Sequence, residues 1–225
     1  MDQVLQQKKG LVKDVFNKVF KKYDLMNDLM SFGVHRIWKK HLINWMNPGT
    51  EKILADVACG TGDITKLYLQ KMNKKNKSFC IDPNMGMINK GKEKLKKYKN
   101  ITWLKGYAEN LPIKDSSCDY YVISFGLRNT KSLNKSISEA YRILKPGGRY
   151  MCLEFSKIKN LDLGRLYKNY SKIIPHIGQY VVGDKAPYEY LTKSINNFIN
   201  QEELMDLIIK NKFKNCSYRD LSGGI

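Results

Sequence analysis

Residues 4–20, VLQQKKGLVKDVFNKVF, place apolar side chains at three- and four-residue spacing, the period of an amphipathic helix. The signal continues unevenly through 23–46 and stops at Asn47-Pro48-Gly49, a turn. Short apolar runs then appear at 53–57 (ILADV), 78–82 (SFCID), 101–106 (ITWLKG), 118–125 (CDYYVISF) and 149–155 (RYMCLEF), and these predict strands. Between the first two lies a helix with Ile64, Leu67, Tyr68 and Met72 on one face. A lysine-rich helix runs from Pro83 to about Tyr98, and another spans 132–144. Strands alternating with helices predict an α/β fold with a mainly parallel, doubly wound sheet and right-handed crossovers.

After Ser156 the rhythm breaks. Residues 160–199 are largely helical in pattern and rich in aromatics (Tyr167, Tyr170, Tyr180, Tyr188, Tyr190, Phe198). A plain helix over 201–211 and a strand over 213–221 follow. The chain of 225 residues is thus expected to form one domain. Its parts are a helical cap over 1–47, a core over 50–156, a helical lid insertion over 157–200 and the end of the core over 201–225.

Composition narrows the class. With 42% hydrophobic residues the chain can bury a core. It has no run of about 18 apolar residues, so no transmembrane helix is expected. The N-terminal MDQVLQQKKGLVKDVF lacks the apolar stretch of a signal peptide, which predicts an intracellular protein. Five scattered cysteines without a CxxC pair predict free thiols in a reducing compartment, and neither a disulfide framework nor a zinc site. His35, His41 and His176 show no ligand spacing, so no metal is expected.

A formal charge of +19 asks for an anionic partner, either nucleic acid or the surface of a membrane. The basic residues are 34 lysines and 6 arginines. Base and phosphate readers lean on the arginine fork, so lysine dominance counts against nucleic acid. Compositional bias of the source is a third explanation, and charge alone does not choose.

The chemistry concentrates where strands end. In ADVACGTGD, Asp56 closes the first strand, and Gly60, Thr61 and Gly62 turn the chain into a helix. Glycines let backbone approach a ligand, and the helix N-terminus offers N–H donors. Ala58 stands where a dinucleotide fingerprint has its first glycine, and the lysine-serine ending of a P-loop is missing. Asp82 closes the second strand, where an acid hydrogen-bonds ribose hydroxyls in doubly wound folds; its alternative is a helix cap, since Pro83 follows. Tyr107-Ala108-Glu109-Asn110-Leu111-Pro112 follows the third strand and can lie against an adenine ring. Ser124-Phe125-Gly126 ends the fourth strand at the same edge.

These pieces, with Lys145-Pro146-Gly147-Gly148 before the fifth strand, resemble the class I S-adenosylmethionine-dependent methyltransferases, which have a Rossmann-like fold. The resemblance implies S-adenosyl-L-methionine as cofactor, held by Gly60, Thr61 and Gly62 with Asp56, Asp82, Tyr107, Ala108 and Ser124. It also implies that Lys145-Pro146-Gly147-Gly148 is mainly a tight turn. The acceptor is narrowed by Tyr23-Asp24-x-Met26-Asn27, Ser31, His35 and Trp38, and by Arg142-Ile143-Leu144-Lys145-Pro146-Gly147-Gly148 through Glu154 and Ser156. With Ser124-Phe125-Gly126-Leu127-Arg128-Asn129 and the segment 188–195, they are similar to signatures of the UbiE-type quinone-biosynthesis C-methyltransferases. That family continues past Gly-Gly-Ile with one more strand, so the last strand here is expected to be incomplete.

The family resemblance implies methyl transfer to a ring carbon of a polyprenyl quinol, either a methoxy-polyprenyl-benzoquinol or demethylmenaquinol. It implies no nucleic-acid partner. It leaves open a homodimer or a quinone-biosynthesis complex. A quinol carbon becomes nucleophilic when its hydroxyl is deprotonated, so a base or a held water is needed. Arg128 and Asn129 are the candidates at the strand-four edge; arginine is a poor base, so Arg128 is expected to stabilise a phenolate or position water. A salt bridge to Glu154 or Asp119 is its structural alternative.

Tyr23 and Asn27, four apart, would share a helix face toward the quinol head group, with Tyr23 a further catalytic candidate. His35 is either a third head-group contact or a satisfied structural histidine. Met26, Leu29 and Met30 fit packing or the prenyl tail. Peripheral contact of the amphipathic 4–20 helix and the lysines with anionic lipid is expected, on the cytoplasmic or mitochondrial-matrix face of an inner membrane. Other readings are a methyltransferase of another small aromatic or lipid acceptor, a cofactor-binding scaffold, and an RNA methyltransferase.

Overall fold

The computed structural model describes residues 28, 31, 33–72, 76–159, 162, 164–167, 169, 170, 173, 179, 180 and 185–224. The described residues divide into two compact units. One draws on Met1–Arg36, Phe155–Lys210 and Lys214–Ile225, the other on Ile37–Glu154 and Asn211–Phe213. The 4–20 helix of the sequence pattern, with Tyr23, Met26, Asn27, Leu29 and Met30, lies outside the described residues.

Helix α1 (His35–Met46) buries Trp38, Leu42 and Met46, one face at four-residue intervals, and ends where Asn47 turns left-handed before Pro48. Strand β1 (Ile53–Val57) is almost wholly buried and leads through the glycine turn into α2 (Asp63–Lys71). Strand β2 (Lys77–Asp82) precedes α3 (Met85–Lys94), whose N-cap is Asn84: its side chain accepts from Gly86 N at 2.8 Å and Met87 N at 3.2 Å. Then come β3 (Ile101–Lys105), β4 (Cys118–Ser124), a 3₁₀ turn (Leu127–Asn129), α4 (Leu133–Ile143) and β5 (Leu144–Leu153).

All five strands run parallel in the order β3-β2-β1-β4-β5. The order reverses between β1 and β4, and the carboxyl edge at such a switch point is where open α/β sheets bind ligands. β1 is the central strand, and it and the neighbouring β4 read as largely apolar runs because both faces are covered. On one face Leu42, Met46, Leu54, Ile64, Tyr68, Leu69 and Val122 form a packed core.

Two expectations are corrected. Lys145-Pro146-Gly147-Gly148 is not a turn ahead of the fifth strand: Cys118 pairs with Leu144 and Tyr120 with Arg149, so 145–148 bulge inside β5 opposite Asp119. The strand expected over 213–221 does not form. Lys212 and Asn215 have positive φ (71° and 55°), which breaks the extended run, and the Phe213 ring packs edge-on to Tyr141 at 5.4 Å.

In the other unit, α5 (Ala186–Asn196) starts with Pro187 in its first turn, and α6 (Gln201–Lys210) follows. α6 belongs to this unit, whereas the sequence pattern assigned 201–225 to the sheet core. No helix among the described residues is long and apolar enough to cross a membrane.

Candidate functional site

The glycine turn is built from below. Asp56, 1% exposed, accepts at one carboxylate oxygen from Thr65 N (3.1 Å) and Thr65 Oγ1 (2.9 Å), tying the end of β1 to the first turn of α2. Burial pushes the Asp56 carboxyl up to about 7 against these bonds. Asp56 therefore stands under the turn and fixes it. Cys59 N donates to Ile81 O (3.1 Å), Gly62 N to Cys59 O (2.9 Å), and Gly60 N to Asp82 Oδ2 (2.9 Å). Gly62 has φ +80°, and a Cβ there would come within 3.0 Å of the Trp103 ring and 2.9 Å of Leu95, so both conformation and space call for glycine.

The buried Lys39 donates to Asp63 Oδ2 (2.8 Å), while Lys94 bonds Asp63 Oδ1 (2.5 Å) and Thr61 Oγ1 (3.1 Å). Burial alone would raise Asp63, but the two lysines hold it well below the usual carboxylate range. Two cations thus face one carboxylate at the N-terminus of α2, beside Thr61.

Asp82 is buried at the end of β2, and its second oxygen accepts from Asn84 N (2.8 Å). Burial lifts it to about 6, opposed by the Asn84 and Gly60 N–H bonds. Each oxygen keeps a second lone pair, so a hydroxyl can still donate to it. After β3, Ala108 is buried, while Tyr107 is 53% exposed with Lys131 Nζ 5.2 Å from its ring centroid. The loop is anchored further on. Leu111 N donates to Glu139 (2.8 Å), and Arg142 bonds Leu111 O (3.1 Å), Ile113 O (2.8 Å) and Asp115 (2.7 Å).

At the end of β4 the Ser124 hydroxyl is shielded from solvent and has no hydrogen-bond partner. Phe125 then turns left-handed (φ 56°), and Gly126 packs directly onto Ala58: a Cβ on Gly126 would lie 2.5 Å from that of Ala58. Ala58 itself has φ 53°. This tight contact between the two loops at the switch point explains why a small residue occupies each position.

Arg128 takes the salt-bridge alternative. Its Nη1 bonds Glu154 and donates to Phe125 O (3.0 Å), and its backbone N reaches Glu154 Oε2 (3.3 Å). The two side chains are 4% and 3% exposed, a buried matched pair. Asn129 lies beside it, with Nδ2 3.5 Å from Phe125 O. The carboxyl edge thus gathers Gly60, Thr61, Gly62, Asp82, Ser124, Arg128 and Asn129 within one unit, with Glu154, one of the two salt-bridge partners expected for Arg128, as the one that pairs with it. Glu154 stands one residue past β5, much as Asp82 stands at the end of β2.

In the other unit His35 Nδ1 lies 2.9 Å from Ser31 Oγ and 3.7 Å from Asp28, and Ser31 Oγ accepts from His35 N (3.3 Å). Tyr23 and Asn27 lie outside the described residues. Among the described residues no cluster of His, Cys, Asp or Glu could hold a metal.

The donor set fits S-adenosyl-L-methionine: a glycine turn that backbone can approach, an acid with spare lone pairs at β2, an unmatched hydroxyl at β4, and a helix N-terminus that can face a carboxylate.

Comparison with known proteins agrees. The ubiE/COQ5 methyltransferase family matches residues 2–225. The chain is 43% identical over 225 residues to the ubiquinone/menaquinone biosynthesis C-methyltransferase UbiE of Brucella suis, covering 97% of this chain and 84% of that one. It is 44% identical over 226 residues to the protein of the same name from Rickettsia akari, covering 97% and 91%. A crystal structure of an S-adenosylmethionine-dependent methyltransferase from Thermotoga maritima superposes with a TM-score of 0.64 at 22% identity, covering 90% of this chain and 81% of that chain. At that identity the likeness speaks for the Rossmann-like fold alone.

Proposed function

The chain belongs to the ubiE/COQ5 methyltransferase family, and from that premise we propose that it methylates a ring carbon of a prenylated quinol in ubiquinone or menaquinone biosynthesis. The observation that carries this reading is the near-full-length match to relatives named for that reaction. S-adenosyl-L-methionine, when bound, supplies an electrophilic methyl group. The rest is alignment of the acceptor carbon and removal of protons from the quinol.

Gly60, Thr61 and Gly62 present backbone to the cofactor, Asp82 takes a ribose hydroxyl, Tyr107 and Ala108 flank the adenine, and Ser124 offers its unmatched hydroxyl. Asp56 acts one step back, by holding the turn through Thr65. The Arg128–Glu154 pair carries no net charge, so its help to a phenolate comes from directed N–H groups rather than from an uncompensated cation. Asn129 is the neighbouring amide that can orient a water. Tyr23 and Asn27 are proposed head-group contacts. His35, engaged by Ser31, is proposed to brace that segment.

A polyprenyl acceptor resides in lipid, and the net charge of +19, carried mostly by 34 lysines, supports peripheral contact with an anionic bilayer. Whether the working form is a dimer or part of a complex has no bearing on this chemistry. The test is expression of the chain in a bacterium deficient in quinone methylation, with quinones read by mass spectrometry. Methylated quinone is expected; folded protein with only unmethylated intermediates would overturn the proposal.

A further inference from the structure

Lys39, Asp63 and Lys94 form a charged group that the reaction above does not use, and all three lie in the unit that holds the glycine turn. Each oxygen of Asp63 meets a different lysine: Oδ2 accepts from Lys39 at 2.8 Å and Oδ1 from Lys94 at 2.5 Å. Lys39 comes from α1 with a side chain 9% exposed, Asp63 opens α2 and Lys94 closes α3, so three helices meet on one carboxylate. Burial works against the charge of Asp63, but the two lysines keep it ionised. Charge drawn out of water is a weak source of stability, so such a group points to a positional role.

The residue it bears on is Thr61. Lys94 Nζ also donates to Thr61 Oγ1 at 3.1 Å, and Thr61 is 3% exposed. α3 comes this close because Gly91 has no side chain: a Cβ there would lie 3.2 Å from Thr61 O. An ammonium only donates, so the hydroxyl is the acceptor in that bond and its single proton points elsewhere. Among the described residues no acceptor for that proton lies within reach. Next in the chain, Gly62 stands at the N-cap of α2 and has no side chain to cap the helix, whose end therefore favours an anion.

We infer that Lys94 is a positioning residue for the carboxylate of S-adenosyl-L-methionine: by donating to Thr61 it leaves the Thr61 proton for that carboxylate, and Asp63, braced by Lys39, keeps Lys94 in place. A carboxylate only accepts, so it complements a hydroxyl whose accepting side is already engaged. Without Lys94 the hydroxyl rotates, and ordering it becomes a cost of binding. Lys94 acts through Thr61 and does not itself touch the cofactor. This role rests on the cofactor lying at the glycine turn and is independent of the acceptor.

The full chain is compared with Lys94→Met, Thr61→Val, Thr61→Ser and the double variant Lys94→Met with Thr61→Val. Lys94 is 29% exposed and Asp63 keeps Lys39, so Lys94→Met is expected to fold, as urea unfolding checks. Calorimetry measures affinity for two probes. S-adenosylhomocysteine carries the carboxylate; methylthioadenosine keeps the nucleoside but has no amino-acid chain. Lys94→Met and Thr61→Val should each weaken S-adenosylhomocysteine about five- to thirtyfold, with methylthioadenosine within about twofold of the parent. Thr61→Ser keeps the hydroxyl and should keep the parent's affinity. The double variant should bind no more weakly than Thr61→Val, because both changes act through one hydroxyl.

Equal losses for the two probes would mean that the lysine holds the turn as a whole, and would overturn the role. Unchanged S-adenosylhomocysteine affinity in Lys94→Met would overturn it too. Losses that add in the double variant would show Lys94 acting on the cofactor without Thr61, which also overturns it. A parent that binds neither probe removes the cofactor site and this role with it. Failure to methylate a quinol, with the affinities as expected, overturns the acceptor reading alone.

Discussion

Replacing Gly126 by alanine would place a methyl group 2.5 Å from the Cβ of Ala58, about 1 Å inside ordinary carbon contact. The obstacle is a Cβ on the backbone of another loop, so nothing flexible can swing aside. Backbone strain does not enter, because Gly126 has φ −115° and ψ −27°, which any residue adopts. The cost is overpacking, about 1–3 kcal/mol. Ala58→Gly removes the opposing methyl and also the left-handed strain of an alanine at φ 53°. That strain is about 1–2 kcal/mol, and the extra chain entropy of glycine, about 0.5–1 kcal/mol, offsets much of it.

Three expectations result for urea unfolding. Gly126→Ala falls by about 1–3 kcal/mol, Ala58→Gly stays near the parent, and the double variant returns to within about 1 kcal/mol of the parent, a positive coupling of about 1–3 kcal/mol. Affinity for S-adenosylhomocysteine should follow the same order, because the two loops carry Gly60 and Ser124 on the two sides of the switch point. Additive losses in the double variant would refute the reasoning, since the strain would then lie elsewhere than in the Ala58–Gly126 contact.

Two further outcomes follow from buried charge. The Asp56 carboxyl, lifted to about 7 by burial, binds its proton more tightly in the folded than in the unfolded chain. On its account stability is highest below about pH 4 and declines as pH rises to about 7. Asp56→Asn removes that slope, so its stability relative to the parent should climb by about 2–4 kcal/mol between pH 4 and 8; a flat difference would show that Asp56 is not the titrating group. Asp82 gives the same sign in both proteins and cancels, while Asp63 acts below pH 4 with the opposite sign. At the other end of the site, Glu154→Gln removes the carboxylate of the buried Arg128–Glu154 pair and should cost about 3–5 kcal/mol in urea unfolding. Arg128→Met with Glu154→Leu should recover most of that stability without activity; recovery of methyl transfer would rule the pair out of the chemistry.

Where local pattern and tertiary pairing agreed, the fold was legible. Ile53–Val57 and Cys118–Ser124 are largely apolar runs because both are interior strands, buried along nearly their whole length. The pattern misled where neighbours decided. Pro146-Gly147-Gly148 has the chemistry of a turn, yet β4 pairs with the chain on both sides of it and turns it into a bulge. Residues 213–221 alternate well enough for a strand, but a strand also needs a neighbour to pair with and an unbroken extended backbone, and left-handed Asn215 denies the second.

The site divides along the same line. The glycine turn is a local device, and its spacing announced it. Asp82 carried two local readings, ribose ligand and helix cap; Asn84 took the cap, and Asp82 accepts from Gly60 N and Asn84 N. Arg128 and Glu154 are different in kind. They are 26 positions apart, and no periodicity links residues on separate strands. Only the parallel register, with Ser124 opposite Leu153, brings the end of β4 beside the residue after β5. A cation at a strand end suggested charge stabilisation of a phenolate. Once its carboxylate partner is in place the pair is neutral, and the proposed help to a phenolate then rests on the direction of its hydrogen bonds. Variants that keep both charges but change that direction, Arg128→Lys first among them, therefore bear more directly on the reaction than variants that remove a charge.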